Sequence, residues 1–413
     1  MREILDFLPP MPIDIRLIRE TDYIGDNVNV IAALEHPDRV CIIHLYSLPS
    51  SLLERFTTVM QEPFPVLTDL RLDCPHDPTP PVLPDTFLGG SAPRLETLRL
   101  AGIPFPALPK LLLSARDLTS LNLSNIPHSG YFSPEAMVTA LSGLTNLKYL
   151  TLEFQSPSSF TNWGSQRPPP LTRVDLPALA RLFFQGVTEY LEDFLVRINT
   201  PVITIAMIRF FNRVNFDIPQ LCKFISRTVA LGSAKRAELA FYQGFATLSI
   251  AHPDTPHEFD PEPDGFPHVG VSCNALDWQV SFLVQICSQL WPILSSVEEL
   301  RIRCCDQNPL DWEDDLDHTQ WLEIFRPFIA VQSLHIDGLD LLIAPALQEL
   351  TGVRVMEVLP ALRSLFVTNL EPSGSVRQTI EPFITARRLS NQPVTVQRWE
   401  RAPLSVVMIE KKS

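Results

Sequence analysis

Three histidines, His252, His257 and His268, stand in a stretch that also holds Asp254, Glu258, Asp260, Glu262 and Asp264. Imidazole and carboxylate are the ligands of metal-assisted hydrolysis, so a metal-dependent hydrolase is the chemistry this segment would support. Its spacing argues the other way. Zinc sites draw ligands from rigid elements at tight intervals, whereas Pro253, Pro256, Pro261, Pro263 and Pro267 break this segment. A solvated acidic loop is the favoured reading, with no metal and no cofactor expected. Cys304 and Cys305 suggest redox chemistry, but adjacent cysteines rarely reach disulfide geometry, and buried turn thiols explain them better. Asp311, Glu313, Asp314, Asp315 and Asp317 precede Trp321, Leu322, Ile324 and Phe325, the arrangement a helix dipole favours at its start. The chain contains no G-x-S-x-G, no phosphate loop ending in Lys-Ser or Lys-Thr and no H-E-x-x-H. The expectation is therefore a protein that is not an enzyme.

The elements that would carry these residues follow a repeated pattern. An apolar residue, two variable ones, an apolar, one variable and a third apolar occur as Leu67, Leu70, Leu72, as Leu95, Leu98, Leu100, as Leu118, Leu121, Leu123 and as Leu147, Leu150, Leu152. Val40, Ile43, Leu45 comes before them, and Leu179, Leu182, Phe184 and Val202, Ile205, Met207 come after. Val297, Leu300, Ile302, then Val331, Leu334, Ile336, then Leu362, Leu365, Val367 resume the clean form. From Val40 to Val202 the starts lie about 23 to 32 residues apart, room for one strand and one returning helix. The expected fold class is α/β, a leucine-rich-repeat solenoid with a curved parallel sheet on the concave side and helices on the convex side. Residues 1–30 are read as its N-terminal cap, 31–373 as irregular repeats with insertions at 156–170 and 251–270, 374–400 as a C-terminal cap and 401–413 as a tail.

Local signals agree with that layout. Seven residues after most motif starts comes a small or polar residue, Ser47, Cys74, Gly102, Asn125, Gly186, Cys304, Gly338 or Asn369, where the chain must turn out of the strand. Ser133, Pro134 and Glu135 read as an N-cap, a first-turn proline and a dipole-matched acid ahead of Met137, Ala140, Leu141 and Leu144. Leu191, Phe194, Leu195 and Ile198 have helical spacing, as do Leu221, Phe224 and Ile225. Asp277 opens another helix, and Pro292 marks its end or a kink. Between Ala234 and Cys273 the apolar residues alternate in three short runs, which suggests a local hairpin.

Net charge is -14, from 47 acidic and 33 basic residues, so the average field repels a polyanion and no nucleic acid partner is expected. Seven cysteines without a C-x-x-C pair suit reduced thiols. Arg2, Glu3 and Asp6 interrupt the first apolar run, so neither a secretory signal nor a membrane partner is expected, and a cytoplasmic or nuclear location follows. Each motif places one residue between its last two apolar positions, and in a strand that residue faces away from the core. These positions give His44, Arg71, Arg99, Asn122, Thr151, Phe183, Ala206, Arg301, His335 and Phe366, flanked among others by Tyr149 and Arg181. Arginine and aromatic residues anchor protein interfaces, which makes this row the candidate partner-binding face.

The chain resembles the F-box and leucine-rich-repeat proteins that mushroom-forming fungi carry in large numbers. Gly25-Asp26-Asn27 leading to Ala33-Leu34-Glu35-His36 and Asp38-Arg39-Val40 carries the resemblance, with the strand and helix from Ile43 to Met60, Pro63-Phe64-Pro65 before Leu67, and the segment from Leu276 to Ile302. It implies a substrate-recognition surface of a Skp/cullin/F-box ubiquitin ligase, in which an N-terminal F-box docks on a Skp-type adaptor. Met1 to Asp38 leaves no room for an F-box ahead of the first clear repeat, so adaptor binding would require one encoded upstream. The functional expectation is a non-catalytic protein-binding module. A repeat scaffold unrelated to ubiquitin is the alternative, and a metal-dependent hydrolase a remote one.

Overall fold

The computed structural model describes residues 11–17, 23–74, 80–155, 173–211, 218–227, 234–251, 268–272, 276–304, 318–368 and 374–399. They fall into two compact units, one of residues up to 227 and one from 234 onward. The architecture is α/β, and its strands pair mostly in parallel in open sheets.

The first unit contains strands β1 (Ile13–Leu17), β2 (Val40–Leu45), β3 (Asp69–Asp73), β4 (Thr97–Ala101), β5 (Ser120–Ile126), β6 (Tyr149–Phe154), β7 (Val174–Asp175), β8 (Arg181–Gly186), β9 (Ile198–Asn199) and β10 (Ile205–Phe211). Eight of these pair side by side in parallel, in the order β1-β2-β3-β4-β5-β6-β8-β10, while β7 and β9 form a separate pair. Leu70, Leu98, Leu121, Leu150 and Leu182 stand directly opposite one another on successive strands. So do Leu72, Leu100, Leu123, Leu152 and Phe184. All ten are buried. An aliphatic face this continuous can be kept from water only by a covering layer, and the intervening segments supply it.

Those segments include helices α1 (Tyr23–Leu34), α2 (Ser50–Val59), α3 (Leu108–Leu112), α4 (Pro134–Leu141), α5 (Thr188–Arg197) and α6 (Pro219–Arg227). The amide of Ala136 donates to Ser133 Oγ at 3.1 Å, so the cap read from the sequence forms. The start of α6 is satisfied from its neighbour: the Glu192 carboxylate on α5 accepts the backbone N–H groups of Gln220 at 2.8 Å and Leu221 at 2.9 Å.

A second ladder ties each strand to the next just before it begins. Backbone amides donate in series, Thr68 to Cys41, Glu96 to Thr68, Thr119 to Glu96, Lys148 to Thr119, Ala180 to Lys148 and Thr204 to Ala180, all at 2.8 to 3.0 Å. The side chains of Thr68, Thr119 and Thr204 add a second donor to the same carbonyls. At the ends of β2, β4 and β5, Ser47, Gly102 and Asn125 have positive φ, and at Asn125 the register with β6 shifts between Leu123 and Ile126. Gly186 is small for another reason. A Cβ there would meet Phe184 Cζ at 2.7 Å and Phe154 Cδ2 at 3.1 Å.

The second unit contains β11 (Arg236–Tyr242), β12 (Phe245–Ala251), β13 (His268–Ser272), β14 (Glu299–Cys304), β15 (Ser333–Asp337), β16 (Ser364–Val367) and β17 (Thr395–Arg398). Its helices are α7 (Leu276–Gln289), α8 (Trp291–Leu294), α9 (His318–Phe325), α10 (Asp340–Gln348) and α11 (Ser375–Leu389). β13, β12 and β11 form an antiparallel meander, the hairpin expected from the alternating runs, and Gly244 turns its tip at φ 98°. From β11 onward pairing is parallel through β14, β15, β16 and β17. The same entry ladder recurs: Glu298, Gln332, Arg363 and Thr395 donate to Lys235, Glu298, Gln332 and Arg363 at 2.8 to 2.9 Å.

Candidate functional site

In the first unit the predicted row exists as a row. His44, Arg71, Arg99, Asn122, Thr151 and Phe183 are consecutive register partners across β2, β3, β4, β5, β6 and β8, and each is partly exposed. Arg16 on β1 extends it at one end. At the other end the sequence reading needs correcting. Ala206 is buried, and Met207 stands opposite Phe183, because β10 is shifted by one residue from the expected frame. The core set there is Ile203, Ala206 and Ile208, all buried, while Val202 is exposed. With period-two alternation, a one-residue slip exchanges the two faces.

Most charges in this row are held by their neighbours. Arg71 grips Asp69 with two parallel bonds, Nε to Oδ1 and Nη2 to Oδ2, both 3.0 Å. His44 Nε2 lies 3.0 Å from the same Asp69 Oδ2. Asp69 raises the pKa of Arg71, burial opposes it and Tyr46 adds to the rise. The Glu153 carboxyl is raised by burial, with Arg209 and Arg99 pulling it back. Arg99 Nε and Asn122 Oδ1, on register partners, are buried polar atoms without a hydrogen-bond partner. On β6 and β8, in the register pair just before Thr151 and Phe183, the Arg181 guanidinium stands 5.5 Å from the Tyr149 ring centroid; Tyr149 is 44 % exposed and Arg181 is exposed as well.

In the second unit Arg301, His335 and Phe366 are likewise register partners on β14, β15 and β16. Glu238 precedes them on β11 and Gln397 follows on β17. Glu299 is the hub: Arg301 Nε donates to its Oε1 at 2.8 Å, Arg236 Nε lies 3.2 Å from Oε2 and His335 Nε2 lies 3.7 Å from Oε1. Burial raises its pKa, but Arg301, His335 and Arg236 together outweigh that and hold it below the usual carboxylate value. Burial, aided by Arg301 and opposed by Glu299, takes the His335 imidazole down to about 4, so it is neutral near neutrality. Its ring stacks on Phe366, centroids 4.3 Å apart and planes 9° apart, and meets the Trp399 ring edge-on at 5.1 Å. Two acids are buried on this polar side, Glu238 at 4 % and Asp337 at 5 % exposure. Burial raises the Glu238 pKa, Asp337 adds to the rise, and Arg303 and Arg301 oppose it.

No protein-family model matches the chain, and no curated protein matches it in sequence. The arrangement itself suits recognition: paired charges fixed in place, aromatic faces and a few polar atoms left to be satisfied. Among the described residues no three His, Cys, Asp or Glu side chains gather as a metal site, and no helix is long and apolar enough to cross a membrane. His252, His257, Cys305, the acids from Asp311 to Asp317 and the insertion at 156–170 lie outside the described residues, as does the side chain of His268. Cys304 is buried and is not in a disulfide.

Sequence reasoning missed Arg16, Met207, Glu238 and Trp399. For Arg16 and Trp399 the available signal was alternation in Ile13, Ile15 and Leu17 and in Val394 and Val396, in strands too short and isolated to register against the repeat. Met207 was hidden by the one-residue frame shift, and Glu238 by lying in a hairpin outside the repeat motif.

Proposed function

We propose that this chain is a non-catalytic protein-binding module built as a leucine-rich-repeat solenoid, similar to the substrate-recognition repeats of F-box proteins in Skp/cullin/F-box ubiquitin ligases. The partner is a protein, held on the polar side of the parallel strands. One observation carries the reading: parallel strands in register line up His44, Arg71, Arg99, Asn122, Thr151 and Phe183, with the exposed Tyr149 and Arg181 pair beside them. Successive rungs offer one side chain each, so an extended surface is read residue by residue.

Arg71 and Arg301 act through pre-organised pairs with Asp69 and Glu299, which lowers the ordering cost when a partner arrives. Arg99 Nε, a donor, would take an acceptor from the partner, and Asn122 Oδ1, an acceptor, would take a donor. Tyr149 and Arg181 are the residue types in which interface energy concentrates. The test compares partner capture by the full-length gene product with capture by Tyr149→Ala/Arg181→Glu, after circular dichroism shows an unchanged fold. Loss of a specific partner supports the polar face; identical capture overturns it. Co-purification with a Skp-type adaptor supports the ubiquitin-ligase assignment, and its absence with partner binding intact leaves a repeat scaffold unconnected with ubiquitin.

A further inference from the structure

A groove of about 140 Å³ opens in the first unit between α5, β9 and α6, away from the polar row. Its apolar part comes from Leu195, Ile198, Ile203 and Phe224, and Arg173, Lys223 and Arg227 also line it. No acidic residue does. Gln220, Lys223, Phe224 and Arg227 follow i, i+3, i+4, i+7 spacing, so one face of α6 supplies two of the cations together with an amide and an aromatic ring.

The acids nearby are already engaged. Glu192 caps the start of α6, Asp193 pairs with Arg197 at 3.1 Å and Asp175 accepts a hydrogen bond from Asn199 Nδ2 at 2.8 Å. In a chain of net charge -14, three cations around one acid-free groove reverse the local field. The size suits a single ring, close to the ~150 Å³ of an engineered cavity that admits benzene.

We propose that this groove binds a phosphate monoester with a small aromatic or apolar body. Arg173, Lys223 and Arg227 hold the phosphate, and Phe224, Ile198 and Ile203 receive the body. A dianion with three acceptor oxygens can engage all three cations, whereas a monocarboxylate leaves at least one without a counter-charge. The site is independent of the polar row, since none of its lining residues lies on β1 to β6, β8 or β10.

Calorimetric titration of the full chain with phenyl phosphate tests it, with benzoate as a singly charged probe carrying the same ring. Saturable one-to-one binding is expected, weakened by about tenfold or more in Lys223→Ala and in Arg227→Ala, less in Arg227→Lys, and unchanged in Arg71→Ala. Benzoate should bind about tenfold more weakly. Absence of saturation, undiminished binding in Lys223→Ala/Arg227→Ala, or equal binding of benzoate would overturn the proposal. All three cations are exposed, so the variants should fold; should the double variant not, Arg173→Ala reads the same loss.

Discussion

Arg387 on α11 donates through Nη2 to the carbonyl oxygen of Leu362 at 2.7 Å, tying the C-terminal helix to the chain just ahead of β16. The same nitrogen reaches Pro360 O at 3.2 Å, and Nη1 meets the Met356 sulfur at 3.1 Å. The residue is fully buried, and burial lowers its pKa. A desolvated guanidinium is tolerable here because Nη2 hydrogen-bonds two backbone carbonyls, although its Nε finds no partner. Arg387→Met keeps the volume but strands those oxygens, so urea unfolding should show a loss of about 1–3 kcal/mol.

The registered leucines carry the core of the first unit. Leu121→Ala or Leu150→Ala removes a buried side chain between two identical neighbours that cannot both collapse inward, and each should cost about 2–5 kcal/mol in equilibrium denaturation.

Asn125 tests the turn. At φ 51° it occupies the left-handed region, where a β-branched side chain is strained. Asn125→Val should lower stability by about 1–2 kcal/mol, while Asn125→Gly stays near wild type. Equal loss in both would mean that the side chain, not the backbone conformation, matters.

His335 sets a pH window in the second unit. Its folded pKa of about 4 lies below the unfolded value of 6.5, so between these values the unfolded chain binds more protons and stability falls as pH drops. Glu238 works in the opposite sense, because its raised folded pKa costs stability as pH rises above the unfolded carboxylate value. The difference between wild type and His335→Gln isolates the histidine: denaturation midpoints measured from pH 7 to pH 4 should fall less steeply in the variant.

Cys287 is fully buried on α7, and burial pushes its thiol far above the ordinary value. Thiol alkylation of the native chain at mildly alkaline pH should spare Cys287 and modify the partly exposed Cys41 and Cys222, since the thiolate is the reactive form. Early modification of Cys287 would show that α7 opens readily.

The amino-acid sequence by itself determined the strand faces and their turns. Leu98, Leu121 and Leu150 recur with the period of one strand and one return, and Gly102 and Asn125 sit where the backbone must take positive φ. That much is legible because hydrophobic periodicity and turn chemistry are local properties. Tertiary structure decided what depends on register. It put Met207 rather than Ala206 in the row, added Ile13–Leu17 and Thr395–Arg398 as strands, and brought Arg236, Arg301 and His335 to one carboxylate, Glu299. The groove lined by Arg173, Lys223 and Arg227 was equally hidden, because about fifty residues of chain separate Arg173 from the two cations of α6. Which side chains face one another across strands is set by hydrogen-bond pairing between distant segments, and no local pattern encodes a one-residue shift in that pairing.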